Sequence, residues 1–445
     1  MSNLLIPNQT VQSLSGHPCT VTEFIAGGTQ GEVFKARWLD NDYALKWYFQ
    51  QNATEQQKAA LELLIKDGSP SDTFLWPLDL TFAPGVPGFG YLMRLRENRF
   101  KKLTELVAGQ IDPSFLVLIS AGIELSKAFR SLHNKGLCYK DISLQNAFLD
   151  VDNGDVLVCD NDNVTVNGST IGGVIGTPDF MAPEIVRNEA VPTNKTDLYS
   201  LSVLIFYLFY IHHPLCGKRI LRIKCWDLPA RELLFGNDPV FIFDPDNLVN
   251  AAVADHIIDP AGEAGANAIR YWGIYPSAFN RTVLKAFTTG LNDPDSRVTA
   301  LEWLTALASL RDSIYRCSCG TPNFYDGELT GASRSNSQKC WSCGRDAKFP
   351  YRIRVGKSVV MLNADTKLYP HHMNDGRAFD YSIPVAEVVR HPTNPALWGL
   401  KNLSKVKWVV TLPDGALRDA EAGQSAPLVA NVRIDFGRIH GEIRY

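Results

Sequence analysis

Asp141 and Asn146 stand five residues apart in the stretch CYKDISLQN, Cys138 to Asn146, with Ser143 between them. Asp, Ser and Asn are turn formers whose side chains bond their own backbone, and a plain turn accounts for this composition. The D-x-x-x-x-N spacing also has a chemical reading. The carboxylate would orient an attacking hydroxyl and accept its proton, and the amide would hold a divalent ion on a nucleotide's phosphates. Fourteen residues after Asn146 the apolar run VLVCDND delivers Asp160, a second candidate metal ligand, at the end of a strand.

Upstream, AGGTQGEV (Ala26 to Val33) is a glycine hairpin whose backbone N–H groups can approach phosphates unobstructed, although a ligand-free glycine turn has the same composition. Lys46 follows in YALKWY, on a strand from which an ammonium could reach the α- and β-phosphates. Near the other end, RCSCG and KCWSCG supply Cys317, Cys319, Cys340 and Cys343, each pair followed by a glycine. Thiolates at such spacing close a tetrahedron around Zn²⁺ in a structural site; free thiols, or a redox pair at Cys340 and Cys343, are the alternative.

These groups need a scaffold. With 445 residues, 45% of them apolar and 20% charged, the chain can bury large cores and divides into two or three domains. Its 47 acidic and 44 basic residues leave a formal charge of −3, so no general basic field argues for nucleic acid or an anionic membrane. MSNLLIPNQT has neither the cationic nor the long apolar region of a secretory signal. The longest apolar run, Leu198 to Ile211, covers 14 residues, and a membrane-spanning helix needs about 20. A buried core helix is predicted there, and a cytoplasmic, reducing setting for the nine cysteines.

Strand-like alternation around the glycine hairpin gives way after Phe115 to helical spacing, which predicts an α+β unit of two lobes over residues 1–312. AGIELSKAFRSLHNKG (121–136) reads as a helix stopped by Gly136. Residues 313–349, with cysteine pairs at both ends and a Gly/Ser/Asn-rich middle, are too few for a core of their own and read as a zinc-ribbon-like module. Residues 350–445 alternate apolar and polar positions between turn clusters, an all-β pattern suited to a sandwich. His371 and His372 are assigned there to a strand, where neighbours face opposite ways and cannot share a metal.

Taken in order, the hairpin, YALKWY, D-x-x-x-x-N, DND, GTPDFMAPE (Gly176 to Glu184), Asp197 and NDPDSRVTA make residues from about Leu14 to about Asp312 resemble a eukaryotic-type, bilobal protein kinase domain. The resemblance implies that ATP lies against Ala26, Gly27, Gly28, Gly31, Val33, Ala44, Lys46 and Met93, the last in the hinge segment GYLMRLREN. It implies that a glutamate, Glu62 in preference to Glu55, pairs with Lys46, that Asn146 and Asp160 hold Mg²⁺ or Mn²⁺, and that Asp141 is the base for a serine or threonine of a protein substrate. It further implies a buried Glu184–Arg297 ion pair, and that Asp197 braces the catalytic loop through its backbone.

Three departures bear on activity. H-R-D reads Tyr139, Lys140, Asp141; the lysine often found two residues after the base is Ser143; and D-F-G reads Asp160, Asn161, Asp162. A slow enzyme is expected, since a cation near the transferring phosphoryl group is missing. The rival is a pseudokinase scaffold that binds nucleotide and recruits partners through its β domain. Asp162 is expected either to bind a second ion or to cap a turn, and the hydroxyls of the activation segment before Thr177 are Thr165, Ser169 and Thr170.

D-x-S-x-x-N, D-x-D and a following cysteine module are similar to those of divergent bacterial kinases in stress-response systems, including tellurite-resistance-associated ones. That likeness implies a PP2C-type phosphatase and a von Willebrand A-type protein as partners. The β segment resembles pieces of a forkhead-associated sandwich without its phosphothreonine-gripping arginine and serine.

Overall fold

The computed structural model of the chain describes residues 4–169, 176–253, 265–331 and 338–445; Thr170 lies outside them. The chain divides into two compact units, Met1–Ile269 with Val283–Leu301, and Arg270–Thr282 with Glu302–Tyr445.

The first unit opens with β1 (Thr10–Ser13), β2 (Pro18–Gly27), β3 (Gly31–Trp38), β4 (Asn41–Tyr48), helix α1 (Glu55–Asp67), β5 (Pro77–Phe82) and β6 (Gly90–Arg94). The strands close into a barrel in the order β1-β2-β3-β4-β6-β5, which leaves no open edge beside the hairpin. The short strand β1 makes the closure by pairing with both β2 and β5. Leu5, ahead of β1, is wholly buried with Val21, Phe34, Leu45 and Trp47, so the core begins earlier in the chain than Leu14.

Beyond the hinge come β7 (Phe100–Lys102), α2 (Leu103–Val107), α3 (Phe115–Asn134), β8 (Leu137–Cys138), β9 (Ala147–Asp150), β10 (Val156–Val158), β11 (Thr165–Val166), α4 (Pro183–Val186) and α5 (Asn194–Tyr210). Ser114 caps α3, accepting from the Val117 N–H, and Gly136 follows its end at φ 73°. α5 carries the apolar run of the sequence and is buried from Tyr199 to Tyr210, because all of its faces meet protein. Among the described residues no helix is long and apolar enough to cross a membrane.

In the second unit, six strands run in the antiparallel order 358–361, 352–355, 440–444, 433–435, 408–411, 417–420, and four more in the order 367–368, 386–390, 398–402, 425–427. Side chains from both sheets, including Ile353, Val388, Leu400, Trp408 and Ile434, share one buried cluster. The strand expected at His371 and His372 is instead a helical turn, Pro370–Met373, since Pro370 is preset for a first helical position and blocks ladder pairing. His372 is buried, with Nδ1 accepting from the Tyr369 N–H at 2.9 Å and Nε2 3.0 Å from Asp312 Oδ1. Asp312, His371 and His372 do converge, but both nitrogens of His372 are occupied by protein, which makes a structural tie.

Arg297, 3% exposed, forms a fork with Glu184, Nη1–Oε1 and Nη2–Oε2 both 2.8 Å, and adds bonds to the Gly290 and Lys195 carbonyls. Removing one partner strands the other charge without solvent, so Arg297→Ala should lower the unfolding free energy by about 3–5 kcal/mol in chemical denaturation.

Candidate functional site

The turn between β8 and β9 is held from below by one carboxylate. Asp197, 1% exposed in the first turn of α5, accepts from the backbone N–H groups of Tyr139 (2.7 Å) and Lys140 (3.1 Å) and lies 3.1 Å from His133 Nε2. Lys140 sits at φ 71°, a left-handed conformation that this bracing sustains. Asp141 is thereby presented with both oxygens engaged: Oδ1 accepts from Thr177 Oγ1 at 2.7 Å and Oδ2 from Asn146 Nδ2 at 2.9 Å. Burial raises the Asp141 pKa above the ordinary carboxylate value, and these two hydrogen bonds oppose the rise. Ser143 is 3% exposed and its carbonyl accepts from the Asn146 N–H, so it is part of the turn's framework.

Asp160 follows β10 in a left-handed conformation, φ 53° and ψ 41°, and Cys159 N–H donates to the Asn146 carbonyl at 2.9 Å, which brings Asn146 and Asp160 to one place. Tyr139 is fully buried against Phe74 and Phe129, with its hydroxyl donating to the Cys159 carbonyl. The Asp160 side chain is 42% exposed. Burial raises its pKa, Lys46 opposes, and the neighbouring Asp162 charge adds to the rise. A hard carboxylate and an amide oxygen at one site are the donor types Mg²⁺ takes.

Lys46 does not meet Glu62. Its Nζ lies 2.7 Å from Asp162 Oδ2, 3.5 Å from Asp160 Oδ1 and 3.3 Å from Gln30 Oε1. Glu62 is exposed because α1 turns Gln57, Leu61 and Leu64 inward at i, i+4 and i+7, and a residue five after Gln57 falls on the opposite face. Gln57 is the inward polar group, donating to Tyr48 Oη at 3.2 Å and to the Asp162 carbonyl at 3.1 Å.

Of the hairpin residues, Ala26 pairs with Val33 and Gly28 N–H donates to Gly31 O. Ala44, Met93, Phe148 and Leu157 form one buried apolar cluster with Val33 packed on it, a shelf of the kind a purine ring needs. Phe148, Leu157, Thr177, Gln57, Tyr48 and Tyr91 are additions to the residues chosen from sequence. Two carried a signal: Tyr48 is two residues from Lys46 and shares its strand face, and Phe148 lies just beyond Asn146. Tyr91 is the cross-strand partner of Lys46, a register that appears only with the sheet.

In the second unit Cys317, Cys319, Cys340 and Cys343 converge, with Cys317–Cys343 and Cys319–Cys340 sulfurs both 3.8 Å apart. Gly320 (φ 89°) and Gly344 (φ 71°) turn each pair, their N–H groups donating to the Cys317 and Cys340 carbonyls. A tetrahedron with metal–sulfur bonds of about 2.3 Å has edges of about 3.8 Å, so the sulfur positions fit Zn²⁺.

Residues 101–232 match the family model described as protein kinase domain. The chain is 27% identical over 218 residues to serine/threonine-protein kinase sck2 of Schizosaccharomyces pombe, an alignment covering 45% of this chain and 32% of the relative. It is 27% identical over 205 residues to serine/threonine-protein kinase SCH9 of Candida albicans, covering 40% and 24%. It is also 24% identical over 192 residues to a dual serine/threonine and tyrosine protein kinase of Apis mellifera, covering 43% and 17%. The chain thus spans a third or less of the length of these relatives. Asp141, Asn146, Asp160 and Thr177 lie inside the segment that matches the protein kinase domain model, and Lys46 and the hairpin lie ahead of it.

The hairpin's geometry carries its own test. A Cβ on Gly31 would lie 2.1 Å from the Trp47 carbonyl oxygen, whereas one on Gly28 would meet nothing closer than 3.8 Å. Gly31→Ala should therefore cost about 1–3 kcal/mol by forcing the strands apart. Gly28→Ala should leave the thermal midpoint close to that of the parent, both read by calorimetry.

Proposed function

We propose that this chain is a protein kinase that transfers the γ-phosphoryl group of ATP to a serine or threonine hydroxyl of a protein substrate. The observation that carries the reading is the Asp141 carboxylate, held between Thr177 and Asn146 in the cleft that also contains Asp160 and Lys46. In the transfer the acceptor O–H gives its proton to Asp141, the acceptor oxygen bonds to the γ-phosphorus, and the bond from that phosphorus to the bridging oxygen breaks to leave ADP. Lys46 offers its ammonium to the phosphates, the shelf of Val33, Ala44, Met93 and Phe148 takes the base, and Asn146 and Asp160 are the residues that would hold Mg²⁺ or Mn²⁺. A bound divalent ion would neutralise developing phosphate charge. Ser143 supplies no cation beside the base, which favours slow turnover.

The scaffold reading rests on that missing cation, and its recruiting element would be residues 350–445. By the likeness of its motifs we place the chain in cytoplasmic bacterial stress signalling, beside a PP2C-type phosphatase and a von Willebrand A-type protein. We assign residues 313–349 to a zinc ribbon that is structural, because four thiolates leave no open coordination position.

Asp141→Asn should retain nucleotide affinity while cutting labelled phosphate incorporation by about 10²–10⁴-fold. Equal incorporation by parent and variant overturns the assignment. The base works deprotonated and its pKa is raised, so the parent's rate should fall on acidification at a pH above the ordinary aspartate value of about 3.9. Thr177→Val removes a hydrogen bond that favours the charged form and should move that acid limb to higher pH, while Thr177→Ser leaves it in place.

Elemental analysis of the purified protein should find about one zinc per chain. Cys340→Ser combined with Cys343→Ser should lower the zinc content and expose the segment near residues 315–350 to protease.

A further inference from the structure

The Lys46 side chain is 7% exposed, and a charge so removed from water needs a carboxylate in contact. Helix α1 does not provide one, since Glu55 and Glu62 are both exposed and its inner face presents Gln57, Leu61 and Leu64. The carboxylate comes from the 3-10 turn Asn161–Asn163 that follows Asp160. Asp162, with a side chain 0% exposed, places Oδ2 at 2.7 Å from Lys46 Nζ and 2.5 Å from Tyr48 Oη, and Oδ1 at 3.2 Å from Tyr91 Oη. Both oxygens are spent on donors carried by β4 and β6, which removes the alternatives of a second metal ligand and of a simple turn cap.

We infer that Asp162 is the positioning residue for Lys46, doing from the metal-binding turn what a glutamate of α1 was expected to do from the helix. The inference rests on the kinase reading of the site and deepens it. Asp160, facing the cleft, and Asp162, facing the barrel, lie two residues apart, so one tripeptide sets both the metal ligand and the lysine. The link to α1 is neutral: Gln57 donates to the Asp162 carbonyl and to the Tyr48 hydroxyl. Burial disfavours the Asp162 charge, but Lys46 and the Tyr48 hydroxyl outweigh it and hold the carboxyl below its ordinary pKa. Lys46 is held above its ordinary value against the same burial.

A double-mutant cycle tests this. Asp162→Asn and Lys46→Ala should each raise the KM for ATP by about tenfold or more, and the double variant should be no worse than Lys46→Ala alone, because the second change acts only through the first. Gln57→Glu should reverse sign with background. In the parent it sets a second carboxylate against Asp162 and weakens ATP binding; in Asp162→Asn it restores an acidic partner near Lys46 and recovers part of the lost affinity.

A purely structural Asp162 would lower stability without that coupling. Multiplying effects of Asp162→Asn and Lys46→Ala, or an unchanged KM in Asp162→Asn, overturn the inference. Should Asp162→Asn fail to fold, Tyr48→Phe carries the same cycle, with a several-fold rise in KM expected in the parent and none in Lys46→Ala. The cycle is also read as MgATP affinity by calorimetry. A parent that binds nucleotide but transfers no phosphate then defeats the kinase reading while leaving the Asp162 assignment separately decided.

Discussion

A lysine ammonium buried on the outer, α1-facing side of the β-barrel, opposite to Leu45 and Trp47, is the demand around which the first unit is arranged. Bare burial of that charge would cost several kcal/mol, and the barrel meets the cost with a carboxylate, two tyrosine hydroxyls and a glutamine at one point. The groups arrive from four places in the chain: Lys46 and Tyr48 on β4, Tyr91 on β6, Gln57 on α1 and Asp162 from beyond β10. The convergence ties sheet, helix and the turn after β10 together through groups that cannot relax singly without leaving a buried polar atom unpaired.

A second carboxylate does the equivalent work in the helical part. Asp197 reaches up from α5 to two consecutive backbone N–H groups, and the turn it fixes carries Asp141 and Asn146 toward the cleft. A rigid acceptor on an apolar helix thus sets the backbone of a loop whose Tyr139 and Ile142 side chains are buried beside it. Thr177 closes the arrangement from the far side, where its hydroxyl both orients the Asp141 carboxylate and moderates the proton affinity that burial would otherwise raise further.

Much of this was legible in the residues. Asp141, Asn146 and Asp160 announced themselves by spacing, the run from Leu198 to Ile211 by its length and unbroken apolarity, and the cysteine knuckles by their glycines. What was not legible depended on phase and register. The glutamate for Lys46 was sought in α1 by chain distance, but a helix exposes or buries a side chain by its angle about the axis, and that angle favoured Gln57. Asp162 read as a polar residue of a turn, because its partners lie on strands more than 70 residues away. Pro370 signalled a helical start beside the paired histidines, and the surrounding β alternation masked it. The grouping of Arg270–Thr282 with the later unit has no local pattern to announce it.

Tyr139 occupies the place where kinase-like catalytic loops carry a histidine, and its phenol bridges the turn of Asp141 to the strand end that precedes Asp160. Burial drives its pKa well above that of free tyrosine, so the bridge stays neutral and hydrogen-bonded at every pH a cell encounters. An imidazole there could gain or lose a proton near neutrality and let the loop register acidification. The phenol has no such second state, and the contact between the two halves of the site is electrically silent, a fixed mechanical joint through which pH carries no message.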